Sequence, residues 1–319
     1  MRWLLKVGAF KVLGTLPGGE AIYHFLQQKV THSIAVTDER VSQKIQVGME
    51  YLDFVCRVFN VQDFSGITHV DIGAGWMPTI PLLFYSVGFE RQLLCDIRRH
   101  MRVGVVSDAI CSFREVVSRE RSVATRCKRM PPLIDPDVPL DTQFTQLGIR
   151  YITPYHINDL IRDKRPKLIT CTQVLMHLNK EQLSALLQTI ASSLKYGGIF
   201  ITTIHLYDLW SDFDKSLSRY QKWKYSDFAW ERLINSRMIS FNRFTASEYK
   251  QLFEENGLEI VEFRVDEPTA TDLKELKSIK VHKQFSQVPQ RELGAKWLFL
   301  VAKRGGSDVG FPGVSQSTR

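Results

Sequence analysis

His69-Val70-Asp71-Ile72-Gly73-Ala74-Gly75 decides how this 319-residue sequence folds. A short apolar run with strand character ends at a pair of glycines, and the apolar residues from Pro81 to Val87 have the pattern of a helix. Glycines at such a turn let the main chain bend and let a ligand lie against it. The stretch therefore predicts a βα unit with a candidate ligand site. A tight turn without a ligand is the plainer alternative, because many βα turns contain glycines.

Further strand-like runs follow, separated by helical patterns or by longer segments. They are Gln92 to Ile97, Ile149 to Thr153, Lys167 to Cys171, Ile199 to Ile204, Leu258 to Phe263 and Lys296 to Val301. Alternating strands and helices indicate βαβ units. The sequence therefore predicts an α/β fold, doubly wound around a mainly parallel sheet of seven strands.

Two segments do not fit a minimal alternation: one is basic and the other is rich in aromatic residues. We expect a helical N-terminal extension (1–60), a core (61–206) with a basic insertion (100–145), a lid insertion (207–245), the C-terminal part of the core sheet (246–304) and a disordered tail (305–319). In the extension, Val47, Tyr51 and Phe54 recur at the spacing of an amphipathic helix.

The first fourteen residues admit two interpretations. Trp3 and the following leucines stand beside Lys6 and Lys11, a composition suited to a helix packed on the domain or, less favoured, to peripheral membrane contact through residues 1–14. No apolar run reaches the roughly 20 residues of a transmembrane helix, and the two lysines interrupt any signal sequence. Five widely spaced cysteines argue against a disulfide framework or zinc site and favour a cytoplasmic protein.

The net charge of +8 is concentrated in one part of the sequence. Residues 91–130 contain ten basic and four acidic side chains. Arg98, Arg99 and Arg102 follow closely after Asp96, where they could bind an anionic acceptor such as a phosphate or an acidic sugar. A solvated helix face is the plainer interpretation of the same charges.

Four segments, in order, resemble the motifs of class I S-adenosylmethionine-dependent methyltransferases. Asp71 to Gly75 resembles the first motif of that family, and Asp96 matches the acid that binds the ribose. Val174 to Leu178 resembles its VLEHL segment, and Leu194 to Gly198 its LKPGG turn. The resemblance covers more than half of the chain. Gly75-Trp76-Met77-Pro78 looks like a bacterial subset of type 11 and 12 methyltransferases associated with small molecules and glycans.

The resemblance implies a Rossmann-like core that binds S-adenosyl-L-methionine and no metal. The residues it assigns to the cofactor are Asp71, Gly73, Ala74, Gly75, Asp96, Ile97 and Thr172. Met77, Met176 and Tyr196 depart from the family's motifs, and Pro78 breaks the dinucleotide fingerprint, which makes a nicotinamide dehydrogenase a distant alternative. The adenine contact is left open among Tyr155, His156, Asn158 and Asp159.

Two histidines follow strands whose carboxyl ends should face the ligand. His177 and His205 are the candidate catalytic bases, although a structural role is favoured for His177. Eleven aromatic residues within 207–249 suit a ring-bearing or sugar-like acceptor, and most of them would also form the lid's own core. The same segment has seven basic and six acidic residues, which argues against a nucleic-acid groove. Tyr207, Arg98 and Arg99 are the candidate acceptor-binding residues.

These observations together predict methyl transfer to a small-molecule or glycan acceptor, on oxygen. Two alternatives stay open at this point. The departures from the motifs would fit a cofactor-binding protein without catalysis, and the positive charge would fit an RNA or protein methyltransferase. The sequence indicates neither the identity of the acceptor nor the oligomeric state.

Overall fold

Parallel strands flank the strand that carries the glycine motif on both sides. The computed structural model describes residues 2–13, 15–16, 35–154, 165–236 and 239–305. The strands are β1 (Thr68–Ile72), β2 (Arg91–Cys95), β3 (Ile149–Ile152), β4 (Leu168–Thr172), β5 (Ile199–His205), β6 (Leu258–Val265) and β7 (Trp297–Arg304). They form one seven-stranded sheet in the order β3-β2-β1-β4-β5-β7-β6. The sheet is mixed and mainly parallel, which confirms the predicted α/β, Rossmann-like fold.

Helices precede, connect and flank these strands. They are α1 (Arg2–Leu13), α2 (Asp38–Phe59), α3 (Thr79–Val87), α4 (Val103–Arg119), α5 (Arg121–Ala124), α6 (Leu140–Gln146), α7 (Lys180–Ser193), α8 (Trp210–Phe213), α9 (Asp227–Ala229), α10 (Ala246–Glu255), α11 (Ala270–Lys277) and α12 (Gln290–Gly294). Short 3₁₀ turns lie at Leu175–His177, Gln221–Lys224 and Lys283–Phe285, and a π-helical turn at Trp230–Ile234.

The chain divides into two compact units, each assembled from separate stretches. The glycine-loop unit comprises Val36–Thr170, Thr189–Ile201 and Lys303–Arg319. The aromatic unit comprises Met1–Ala35, Cys171–Gln188 and Thr202–Ala302. The domain boundaries expected from the sequence stay predictions, and the tail expected at 305–319 lies outside the described residues from position 306 onward.

Helix α2 shows how local sequence fixes an element of the glycine-loop unit. The Thr37 side chain accepts a hydrogen bond from the Arg40 backbone N–H at the N-terminus, and Asn60 ends the helix in the left-handed region at φ 49°. Val41, Ile45 and Tyr51 are fully buried on one face. The helical pattern read from the sequence is therefore confirmed, and α2 is packed by a continuous apolar stripe.

Helix α1 packs into the aromatic unit. Trp3 and Val7 lie in one buried cluster with Trp210, Trp230 and Phe241. The rings of Trp3 and Trp210 have their centroids 6.4 Å apart. This confirms the packed interpretation of the first fourteen residues for the positions described, and it shows that the lid's aromatic residues mostly build a core of their own. None of the described helices is long and apolar enough to cross a membrane.

Most basic side chains of the 91–130 window bind the glycine-loop unit itself. Arg119 pairs with Asp38 of α2 and with Glu115, and Arg126 pairs with Asp53. Other members donate to backbone carbonyls: Arg114 to Pro131, and Arg129 to Tyr85 and Phe89. The basic side chains of this window are nearly all exposed, as a solvated face requires, and several of them also connect α2, α3 and the segment after α4.

Candidate active site

The turn after β1 is closed by the end of β2. The backbone N–H groups of Gly73 and Ala74 donate to the Cys95 carbonyl oxygen, at 2.8 and 3.2 Å. Gly73 and Gly75 adopt φ of 72° and 67°, in the region that disfavours any side chain with a Cβ. The paired glycines thus build a backbone loop that a residue with a side chain would strain.

Gly75 leaves open space above the loop. A Cβ placed on it would meet only the Gly73 carbonyl oxygen within 4 Å, at 3.9 Å. Its N–H donates to Asp96 Oδ2 at 2.9 Å. A surface on which glycine exposes bare backbone beside a carboxylate fits a ligand that approaches the main chain closely and carries hydroxyl donors.

Asp96 follows β2 directly and is 6% exposed. Its Oδ1 accepts from the Arg98 backbone N–H at 3.4 Å and lies 3.6 Å from His100 Nε2. The next residue, Ile97, is 70% exposed, which is unusual for so apolar a side chain. A carboxylate beside an uncovered aliphatic face can bind a ribose and one face of an adenine ring.

Asp71 lies beneath the glycine loop in a buried polar setting. Its Oδ1 is 2.7 Å from Thr170 Oγ1, and burial raises the pKa of the carboxyl well above its ordinary value, an effect that the charge of Lys44 partly opposes. His69 is fully buried two residues earlier, and burial lowers its pKa to about 4. Two titratable groups on the same face of one buried strand are far from their ordinary pKa values.

Lys44 is a residue of this region that the sequence did not single out. It projects from α2, its Nζ donates to the Met77 carbonyl oxygen at 3.5 Å, and it interacts electrostatically with Asp71. Burial lowers its pKa. No sequence motif marks this position of the amphipathic helix, so only the packing of α2 reveals that Lys44 lies near Asp71.

His205, the last residue of β5, has an unusual environment within the aromatic unit. Both ring nitrogens are shielded from solvent, and neither has a hydrogen-bond partner among the described residues. The ring packs edge-on against Trp297, with centroids 4.0 Å apart, and lies 4.9 Å from the ring of Tyr207. Burial lowers its pKa to about 4, and the nearby Asp212 carboxylate partly opposes this. A neutral imidazole that can both donate and accept thus has no hydrogen-bond partner among the described residues.

Tyr207 is tied to the same group of side chains. Its hydroxyl donates to Asp212 Oδ2 at 2.9 Å, and the Arg219 guanidinium lies 5.6 Å from its ring centroid. Burial, together with the Asp212 carboxylate, raises the pKa of the phenol. His205, Tyr207 and Asp212 therefore form a base, a hydroxyl and a carboxylate on neighbouring positions of one segment.

His177 is held by backbone contacts, as the structural interpretation expects. Its Nδ1 donates to the Ser240 carbonyl oxygen at 3.1 Å, and its ring packs on Phe241 at 5.0 Å. Asn242, which the sequence did not single out, donates from its amide to the Leu175 and Leu178 carbonyl oxygens at 2.8 Å. Gln173, also unforeseen, sits in the left-handed region at φ 58° directly after β4. A non-glycine residue in this region is a sign of local strain that often accompanies functional turns.

The remaining predicted site residues are placed as follows. Ala74 is buried within the glycine loop, and Thr172 ends β4 in the aromatic unit. Arg99 is exposed, pairs with Asp141 at 2.7 Å and lies over the Tyr151 ring, while Arg98 is exposed next to Asp96. The adenine candidates Tyr155, His156, Asn158 and Asp159 lie outside the described residues. Across the described ranges, no cluster of His, Cys, Asp and Glu could hold a metal ion.

A family model described as a methyltransferase domain matches residues 38–263. No curated protein matches the chain significantly.

Solved structures with similarity include an S-adenosylmethionine-dependent methyltransferase from Mesorhizobium loti, with 14% identity over 76% of this chain and 94% of that one, at a TM-score of 0.40. An S-adenosylmethionine-dependent methyltransferase from Clostridium acetobutylicum has 12% sequence identity over 90% of this chain and 99% of that one, with a TM-score of 0.43. Magnesium protoporphyrin IX methyltransferase from Synechocystis, solved with bound S-adenosylhomocysteine, has 14% sequence identity over 90% of this chain and 100% of that one, with a TM-score of 0.43.

Proposed function

This chain belongs to the methyltransferase family as a class I S-adenosyl-L-methionine-dependent enzyme, and we propose that it methylates a hydroxyl oxygen of a small-molecule or glycan acceptor. The observation that carries the proposal is His205, whose two ring nitrogens are shielded from solvent and bind no described residue. An imidazole in that state is suited to receive a proton from an acceptor hydroxyl. Ligands of open α/β sheets bind beyond the carboxyl ends of strands, where His205 lies.

The glycine-loop unit offers the groups that would hold the cofactor. The bound cofactor supplies an electrophilic methyl group on a sulfonium. The backbone at Gly73 and the open space above Gly75 would take its methionyl part, the Asp96 carboxylate would accept from the ribose hydroxyls, and the exposed Ile97 side chain would cover one face of the adenine. We assign these roles because each residue offers the surface or charge that the corresponding part of the cofactor requires.

Lys44 adds a charge that the motif alone does not supply. Its ammonium, which has one long hydrogen bond to Met77, would bind the carboxylate of the cofactor's amino-acid part. The Lys44→Met variant should then bind S-adenosylhomocysteine at least tenfold more weakly, yet bind 5′-methylthioadenosine, which lacks the amino-acid part, as the wild type does. Equal losses for both ligands would contradict this assignment.

His205 would act as the general base. Its lowered pKa keeps the ring neutral at pH 7, and the nearby Asp212 carboxylate favours the imidazolium that forms when a proton arrives. A positioned base of this kind contributes roughly 10²- to 10⁴-fold to the rate. The Tyr207 ring would contact a ring-bearing or sugar-like acceptor.

The RNA-methyltransferase alternative requires a basic surface that is free to bind phosphates. Arg114, Arg119, Arg126 and Arg129 are engaged within the glycine-loop unit, so the charge excess is not a free basic stripe. Arg98 and Arg99 stay the candidates for an anionic group on the acceptor. The exposed pair of Arg99 with Asp141 contributes little and would be exchanged readily for a ligand anion.

Transfer of labelled methyl groups into a fractionated cell extract tests the proposal. We expect S-adenosylhomocysteine to bind, and the labelled product to carry its methyl group as an ether. His205→Gln should lower kcat by roughly 10²- to 10⁴-fold and leave S-adenosylhomocysteine affinity unchanged, whereas the matched change His282→Gln in the same unit should affect neither. A label on nitrogen or carbon, or a His205→Gln enzyme with full turnover, would refute it.

A further inference from the structure

A chain of four side chains runs through the buried interior beneath the glycine loop. Gln92 Nε2 donates to the Pro81 carbonyl oxygen at 2.9 Å, and Gln92 Oε1 lies 3.0 Å from His69 Nδ1. His69 Nε2 is 2.7 Å from Thr170 Oγ1, which is itself 2.7 Å from Asp71 Oδ1. The strand register produces the chain, because His69 pairs with Gln92 on β2 and Asp71 pairs with Thr170 on β4.

The distances in this hydrogen-bonded chain determine how many hydrogens its four side chains must carry. Since the Gln92 amide nitrogen donates to Pro81, its oxygen is an acceptor, and His69 must carry a hydrogen on Nδ1. The two 2.7 Å links on either side of the Thr170 oxygen need two hydrogens, and its hydroxyl supplies only one. The second hydrogen belongs either to His69, as an imidazolium beside a carboxylate, or to Asp71, as a carboxylic acid beside a neutral imidazole.

The surroundings decide between these two forms. His69 is enclosed by the apolar rings of Phe84 and Phe89, with centroids 4.7 and 6.1 Å away, and the described charged groups do not offset its burial. The groups that face Asp71 are Lys44 from α2, Cys95 and Asp96 from the end of β2, Thr170 from β4 and His69 on its own strand. Only Lys44 favours the carboxylate by its charge, and Asp96 opposes it. Burial therefore disfavours the charged pair, an imidazolium and a carboxylate, relative to the neutral imidazole and carboxylic acid.

We infer that Gln92, His69 and Thr170 are positioning residues that hold the Asp71 carboxyl in its protonated form beneath the cofactor loop. In this arrangement Asp71 donates to Thr170, Thr170 donates to His69 Nε2, and His69 Nδ1 donates to Gln92. Loss of the proton would leave two acceptors 2.7 Å apart at one of the links, so the chain as a whole retains it.

The protonation state of Asp71 determines whether the Lys44 ammonium has a counter-charge before the cofactor binds. A protonated Asp71 does not neutralise the neighbouring ammonium, which stays available for the carboxylate of the cofactor; this step rests on the function proposed above. A carboxylate at Asp71 would instead pair with Lys44 and repel the incoming carboxylate. The chain thereby sets the affinity for the amino-acid part of the cofactor.

A pair of Thr170 variants tests the proton assignment without any ligand. Thr170→Val removes the hydroxyl at nearly constant volume, and Thr170→Ser keeps it. If Asp71 donates to Thr170, the Val change should lower the pKa of Asp71 by about one pH unit, the equivalent of one hydrogen bond, and the Ser change should restore it. Carbon NMR of labelled aspartate, assigned with Asp71→Asn, measures this. A pKa that rises or does not move would overturn the inference.

Two further measurements test the inference: the protonation state of His69 and the affinity for two ligands. Nitrogen NMR of labelled histidine, assigned with His69→Gln, should show a neutral ring with its hydrogen on Nδ1 at pH 7, and an imidazolium would overturn the inference. At pH 7, Thr170→Val should bind S-adenosylhomocysteine several-fold more weakly than the wild type and bind 5′-methylthioadenosine equally well. Thr170→Ser should bind both ligands with wild-type affinity. Equal losses of affinity for both ligands in Thr170→Val would refute the step that involves Lys44. Wild-type protein that binds neither ligand would contradict the proposed function, while the NMR results would still decide the proton assignment.

Discussion

Replacing Gly75 with alanine separates the conformational role of a glycine from its role in binding. At φ 67° an alanine is strained by about 1–2 kcal/mol. The new Cβ meets only the Gly73 carbonyl oxygen at 3.9 Å, so no steric clash adds to this in the free protein. Gly197 provides a matched control, because it has φ 70° and a Cβ there would meet nothing within 4 Å. Both variants should therefore lose the same stability.

The two variants should differ in binding. For a protein of this size, 1 kcal/mol corresponds to roughly 1.5 °C in Tm, so each variant should melt about 1.5–3 °C below the wild type. Gly75→Ala should also weaken S-adenosylhomocysteine binding at least tenfold, or about 1.4 kcal/mol, since its methyl group enters the open space above the loop. Calorimetric melting and isothermal titration measure the two effects separately. If Gly75→Ala binds the ligand as tightly as Gly197→Ala does, the assignment of the loop to the cofactor is wrong.

Three further predictions concern the aromatic unit. Trp3→Ala should reduce the free energy of unfolding by about 3–5 kcal/mol, because Trp3 is 6% exposed, whereas Leu5→Ala, at a 75% exposed position of the same helix, should change it by less than about 0.5 kcal/mol; denaturant titration compares them. Lys222→Met should remove a charge that holds down the pKa of the buried Asp208 carboxyl, raise that pKa above about 7 and destabilise the protein by about 1–2 kcal/mol at pH 8, and the double variant with Asp208→Asn should recover most of the loss. Because the pKa of His205 is about 4 in the folded state and ordinary when unfolded, its contribution to stability is present above pH 6.5 and should be lost as pH falls toward 4; His205→Gln should flatten that part of the stability profile, and an unchanged slope would contradict the assignment.

The parts of the fold that follow from local pattern were predictable. The strand at His69–Ile72, the glycine turn and the capped helix α2 are each determined by neighbours in sequence, so their residue types reveal them. Polar residues at alternate positions 69 and 71 were also visible, but their partners Gln92 and Thr170 are fixed by strand register, which the sequence does not display.

The features that the sequence did not reveal depend on contacts between distant segments. The basic window is largely exposed, as expected, but its sequence does not display that Arg126 pairs with Asp53 or that Arg129 binds carbonyls at the end of α3, both far away in sequence. Lys44 was overlooked for the same reason, since its importance arises only where α2 meets the Met77 carbonyl. Charge counts locate such residues but do not identify what they bind.

The packing of α1 into the aromatic cluster has a consequence for the order in which the protein can mature. Lys11 binds the Arg232 carbonyl oxygen across 221 sequence positions, and Trp3 shares a cluster with residues of the same late segment. A ribosome adds about 5–20 residues per second, so the first helix would wait roughly 10–45 s for its partners. During that interval Trp3 and Val7 lack the cluster that buries them in the folded protein, and the apolar face of this helix stays accessible to chaperones and proteases.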